Sequence, residues 1–156
     1  MGFITSRTEG EDSYRCNCKR NKHMEIMKSD GAIRTDIYHY MKDSELVNNV
    51  SGVLSKKGRP AKSHSEDIVI SILSNEGVQT QVAIINVNIY VQDEDVEGQF
   101  EEKTLRVEEL CKESWSLLES FRTDQYVARA ISQRVYPTNS GEHVINNQVE
   151  YKTIND

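Results

Sequence analysis

Few side chains in this sequence stand where they could carry out a reaction. The four histidines, His23, His39, His64 and His143, are scattered, and none is spaced from an acid and a nucleophile in a recognisable relay. A phosphate-cradling loop, G-x-S-x-G, H-E-x-x-H and G-x-G-x-x-G are all absent. The stretch "CNCKRNKH" offers Cys16, Cys18 and His23 as zinc ligands. A structural zinc site wants four donors, usually with a second pair further on, and here there are three at tight spacing. Cys111 falls within a helical apolar stripe. The expectation is no enzyme, no metal and no cofactor.

Charge is the next candidate for chemistry. Between Gln92 and Glu109 stand Asp93, Glu94, Asp95, Glu97, Glu101, Glu102, Glu108 and Glu109 against Lys103 and Arg106, so this one segment carries the whole net charge of −6. Acids suit a solvated loop and the start of a helix. They also suit a rim that pairs with a basic patch on another copy or partner, with Asp93, Glu94, Asp95 and Glu97 as its contacts. Basic clusters lie at Arg15, Lys19, Arg20 and Lys22 and at Lys56, Lys57, Arg59 and Lys62. Within the second, Lys57-Gly58-Arg59-Pro60 resembles the core of an AT-hook, in which an extended Gly-Arg-Pro enters a narrow minor groove. The plainer reading is an exposed loop kept soluble by lysines.

The elements that must position these groups are legible from periodicity. In "QVAIINVNIY" and onward, Ala83, Ile85, Val87, Ile89 and Val91 alternate with Ile84, Asn86, Asn88 and Tyr90, the pattern of a long strand with one buried face. The strand "DIVISILS" (67–74) precedes it, and the turn residues 75–77 make the two a hairpin. Thr35 or Asp36 can cap a first helix carrying Ile37, Tyr40 and Met41, and Ser44 can cap a short second turn ended by Gly52. The clearest helix follows the acidic link, with Val107, Leu110, Cys111, Ser114, Trp115, Leu118 and Phe121 on one stripe. Trp115 is expected in the core, where truncation to Ala would cost about 3–5 kcal/mol. Two more strands, 126–136 with Val127, Ile131 and Val135 and 143–154 with Ile145, Val149 and Tyr151, close the chain.

The fold class expected is α+β: an antiparallel β-sheet with helices packed on one face, order α-β-β-α-β-β, plus an extended N-terminal arm. The long strand's aliphatic face should lie under the 101–121 helix, leaving Asn86, Asn88 and Tyr90 outward for a polar subunit contact. The arm is residues 1–32 and the domain 33–156. With 156 residues the chain is long enough for one core, although the apolar fraction of 37% is low. Three cysteines suit a reducing compartment, and no apolar run approaches the roughly 20 residues that span a bilayer. Met1-Gly2 with Ser6 matches the myristoylation pattern only loosely, so the expectation is a soluble, intracellular protein without a membrane partner.

The run from "IRTDIYHYMKDSEL" through "SGVLSKKGRPAKSHSEDIVISIL" and "VNIYV" to "HVINNQVEYKT" resembles the tail-completion, or tail-terminator, proteins of tailed bacteriophages and the related neck connectors. There a first helix leads to a short G-x-L strand, an Arg-Pro loop, a hairpin, a long amphipathic helix and a final hairpin, an order that residues 33–154 match. The resemblance implies a homo-oligomeric ring, commonly a hexamer, with a dodecamer as the other size. The ring would sit in the virion at the tail or neck after synthesis in the host cytoplasm. Its partners would be the tail tube or connector proteins, with DNA at most passing through the lumen. The alternative is a small DNA-binding protein using the Lys56–Lys62 loop.

Overall fold

Serine hydroxyls begin the first two helices. The structure, a computed structural model, describes residues 27–154 apart from Val78. Helix α1 (Asp30–Met41) is capped by Ser29, whose Oγ accepts from Ala32 N at 3.2 Å, and α2 (Glu45–Asn49) by Ser44. The cap is therefore at Ser29, nearly two turns before the expected Thr35 or Asp36. Thr35 donates to Gly31 O inside the helix, and Asp36 is engaged by Lys28 and Tyr151. Strands β1 (Leu54–Ser55), β2 (Ile68–Glu76) and β3 (Val82–Gln92) follow, then a hairpin of β4 (Glu94–Val96) and β5 (Gln99–Glu101). Helix α3 (Thr104–Leu118) leads into β6 (Ser120–Arg122), β7 (Tyr126–Pro137) and β8 (Glu142–Thr153).

The α+β class stands, with a richer element order than the sequence pattern implied. Among the described residues, six strands form one sheet in the order β1-β2-β3-β8-β7-β6. The sheet is mixed, since β1 runs parallel to β2 while every other pair is antiparallel. The acidic link is partly strand: Glu97 and Gly98, both at positive φ (52° and 84°), form the tight turn joining β4 to β5.

One face of the sheet carries the core. Ala83, Ile85, Val87, Ile89 and Val91 of β3 are buried there with Ile68 and Ile70 of β2 and Ile145, Val149 and Tyr151 of β8. Each buried valine or isoleucine contributes about 1.5–3 kcal/mol. Two helices share this face: α1 packs on β2, and α3 on β7 and β8. So β3 lies between the helices' main contacts, not chiefly beneath α3 as expected. Helix α3 buries Val107, Leu110, Ser114 and Leu118. Trp115, one position round the helix, is only partly buried and lines an open cleft with Cys111, Lys112, Ser116, Glu119 and Gln133. Its expected core position is thus corrected.

The phase of β7 is corrected as well. Tyr126 and Ala128 are the residues it buries, a register shift intervenes between Ala130 and Ser132, and Ile131 and Val135 are exposed. A bulge turns the later half of the strand relative to the first.

Aromatic rings join α1 to the sheet. Tyr40 stacks on Phe121 with centroids 3.8 Å apart, Phe121 meets Tyr126 edge-on at 6.2 Å, and Tyr126 lies 4.7 Å from Tyr151. Burial pushes the Tyr126 phenol up to about 12, and burial followed by the hydrogen bond to Asp36 raises Tyr151 further.

Candidate functional site

The second face of the sheet is polar, and its register shows why. Rows crossing four strands place Ser71, Asn86, Gln148 and Ser132 side by side, and next to them Val69, Asn88, Asn146 and Arg134. Asparagine is a poor strand former alone, but across a ladder its amide finds partners. Asn146 Nδ2 donates to Asn86 Oδ1 at 3.1 Å and to Asn88 Oδ1 at 2.7 Å, and Ser132 Oγ donates to Gln148 Oε1 at 3.2 Å. Asn86 and Asn88 are therefore half-buried members of an amide ladder, each accepting through its side-chain oxygen.

At one end this face is covered. The loop after β1 folds back so that the Arg59 guanidinium lies 4.3 Å from the centre of the Tyr90 ring. Its Nε donates to Asp67 Oδ2 at 2.9 Å, Nη1 to Glu142 Oε2 at 2.8 Å, and Nη2 to Ser65 O at 3.0 Å. Glu142 Oε1 sits 2.7 Å from Nη2 without a well-aligned hydrogen bond. The side chains of Asp67 and Glu142 are 2% and 5% exposed, so Arg59 neutralises two carboxylates that water scarcely reaches.

The hydrogen bond from Arg59 to Glu142 raises the guanidinium's already high pKa. Burial pushes the Asp67 carboxyl up, but Ser63, Arg59 and the Val53 N–H together outweigh it and hold it below the usual range. Gly52 makes the approach possible, because a Cβ there would lie 2.6 Å from Glu66 C and 2.7 Å from Asp67 N.

The basic loop is thus divided. Arg59 is committed inward, and Lys56 donates to Thr35 Oγ1 at 3.0 Å and lies over the Tyr38 ring. Lys57 and Lys62 are exposed, Lys62 at a φ of 56°. An AT-hook needs its central arginine free for the groove, and here that arginine is folded against the sheet.

The acidic segment is divided too. The Asp93 side chain is 7% exposed and meets His143 Nδ1 at 2.5 Å, and Glu102 lies 3.6 Å from the other ring nitrogen. Glu94, Asp95 and Glu97 stand exposed on the β4–β5 hairpin, where Asp95 Oδ1 accepts from Gly98 N at 2.9 Å. Apolar groups accompany them: Val96, Phe100 and, at the start of α3, Leu105 are exposed at 41%, 64% and 83%. Arg15, Lys19, Arg20 and Lys22, with Cys16, Cys18 and His23, lie outside the described residues.

Two polar groupings were not anticipated. Asn147, fully buried, accepts from Gln133 Nε2 at 2.7 Å and donates to Ser114 Oγ and Val87 O, joining α3 to the sheet. Its signal was present, since position 147 falls in the apolar phase of Ile145, Val149 and Tyr151. The other is the Arg59–Asp67–Glu142 hub, whose members are 83 residues apart at the extremes and share no local pattern.

No group of histidine, cysteine, aspartate and glutamate among the described residues is arranged to hold a metal. Nor is any helix among them long and apolar enough to cross a membrane. No protein-family model matches the chain, and no curated protein matches it at a significant level.

Proposed function

We propose that this chain is a structural virion protein that forms a ring at the tail end or neck of a tailed bacteriophage, joining or terminating the tail. The element order carries the reading. A capped helix, the short strand β1 just after Gly52, the loop with Arg59-Pro60, the β2–β3 hairpin, the amphipathic α3 and the β7–β8 hairpin occur in the sequence the resemblance describes, with the β4–β5 hairpin and β6 interposed. Two surfaces support an assembly role: the amide ladder on the open face and the exposed apolar side chains among the acids of the β4–β5 hairpin. Its partners are further copies of itself and, through the hairpin, tube or connector proteins; the work is mechanical, without a catalytic step.

The DNA-binding alternative has weaker support, because Arg59 is spent on Asp67 and Glu142. Native mass measurement separates the two. A ring-sized particle, with antibody label at the tail end or neck of intact virions, is the expected result. A monomer that retards A/T-rich duplex DNA would overturn the ring.

A further inference from the structure

The two outer strands of the sheet are each covered over only part of their length. β1 pairs with β2 at Ile68 and Val69, and β6 pairs with β7 from Val127 to Arg129. Among the described residues no strand lies on the outer side of Ser71–Glu76 in β2 or of Ile131–Tyr136 in β7. The uncovered segments are each six residues long. They point to opposite ends of the sheet from a common row, the one crossing Ser71, Asn86, Gln148 and Ser132. Each begins beside a bulge that turns an aliphatic side chain out, Leu73 at 59% exposure and Ile131 at 43%, and β7 adds Val135 and Tyr136. An edge of this kind is a template for pairing with another chain.

Strand sense selects the occupant. β2 is antiparallel to β3, β3 to β8 and β8 to β7, so β2 and β7 run in opposite directions. A second copy held in the same orientation therefore presents its β2 antiparallel to the first copy's β7. Keeping the sheet's faces in phase sets Tyr136, Arg134 and Ser132 opposite Ser71, Ser74 and Glu76 of that copy, with Arg134 diagonal to Glu76. Such a diagonal brings opposite charges within reach of one another. The short covering strands do not collide. β1 of the incoming copy passes beyond Pro137, and β6 faces the turn after Glu76.

We propose that the partner of both edges is a second copy of this chain, joined head to tail through Ile131–Tyr136 of one subunit and Ser71–Glu76 of the next. The joint deepens the ring reading, on which it rests, by naming the surfaces that close it. It is heterologous, so repetition gives a ring when the rotation closes.

The test uses the full chain with Leu73→Lys or Ile131→Lys, both at exposed positions, with circular dichroism as a control for folding. Native mass should fall from ring to monomer for each variant alone. Mixing the two leaves one intact joint, β7 of the Leu73→Lys chain with β2 of the Ile131→Lys chain, and should give a one-to-one heterodimer. Rings that persist in both folded variants would overturn the joint while leaving the ring standing. So would a single variant that still forms homodimers, because an isologous contact would then be in use. If deletion of residues 1–26 abolishes assembly while the lysine variants do not, that segment is the occupant and the edge-to-edge joint is wrong. A monomeric unaltered chain would overturn joint and ring together.

Discussion

The loop 55–67 and the acidic segment 93–102 look alike in sequence, as charged runs that follow an apolar stretch, yet they end in opposite states. The first is drawn onto the sheet by one side chain, Arg59, which lies over Tyr90 and is bonded to Asp67 and Glu142. The second is drawn in only at its borders, Asp93 and Glu102 flanking His143, and its middle stands in water. What differs is the partner each charge finds. A guanidinium has a planar fork that can satisfy two carboxylates and an aromatic face at once. Glu94, Asp95 and Glu97 have no buried cation within reach among the described residues. Charge in a run therefore predicts little until its opposite number is located.

The largest effect should come from removing the inward charge. Arg59→Ala leaves Asp67 and Glu142 buried without their cation, a loss of about 3–5 kcal/mol, read as a lowered urea midpoint. A variant as stable as the unaltered chain would show that the loop is not held as described. Gly52→Ala attacks the same corner from behind, by pushing a methyl into the backbone at Glu66 and Asp67. It should cost about 1–3 kcal/mol. Acid sharpens the contrast without a large substitution. Because Asp67 is held low in the folded state, its contribution is complete above an unfolded carboxylate's pKa near 4 and vanishes as pH falls through the lower folded value. An Asp67→Asn chain, less stable at neutral pH, should lose less further stability between about pH 5 and pH 2. Equal acid slopes in the two chains would remove Asp67 from the account.

What the sequence disclosed and what it hid divide along the same line of locality. β3 was legible because its alternation is complete within eleven residues. The helix caps at Ser29 and Ser44 follow one local rule, of which only the second was assigned correctly. β7 was misphased because an extra residue at Ile131 shifts every later side chain to the other face. The β4–β5 turn was signalled by Gly98, but the surrounding acids masked the strands. The Arg59 hub joins positions 59, 67 and 142 across the fold, and no window of sequence contains them. Trp115 shows the same limit on a helix, where stripe membership does not say which margin meets the sheet. Being only partly buried, it should cost about 1–2 kcal/mol on truncation to Ala, below the core figure. A loss of core size would restore the original placement.

The smallest effect on the isolated chain should come from the exposed middle of the acidic segment, and that smallness is informative. Glu94, Asp95 and Glu97 project from a two-stranded hairpin outside the six-stranded sheet. Replacing Glu94 and Glu97 with Gln removes their charge and keeps their shape. Asp95 is better left in place, since its carboxylate accepts the Gly98 N–H in the turn. The double variant should unfold at the same denaturant concentration as the unaltered chain, because surface charges without close partners contribute little to folding. Assembly is a separate matter. If these acids meet a basic surface on a partner, the variant should associate more slowly at low salt, with the difference fading near 0.5 M, where screening shortens the reach of charge to about 4 Å. Association measured by light scattering at two salt concentrations checks this. The same rates at both would leave these acids as a solvated surface, in full contrast to Arg59, whose charge the fold itself requires.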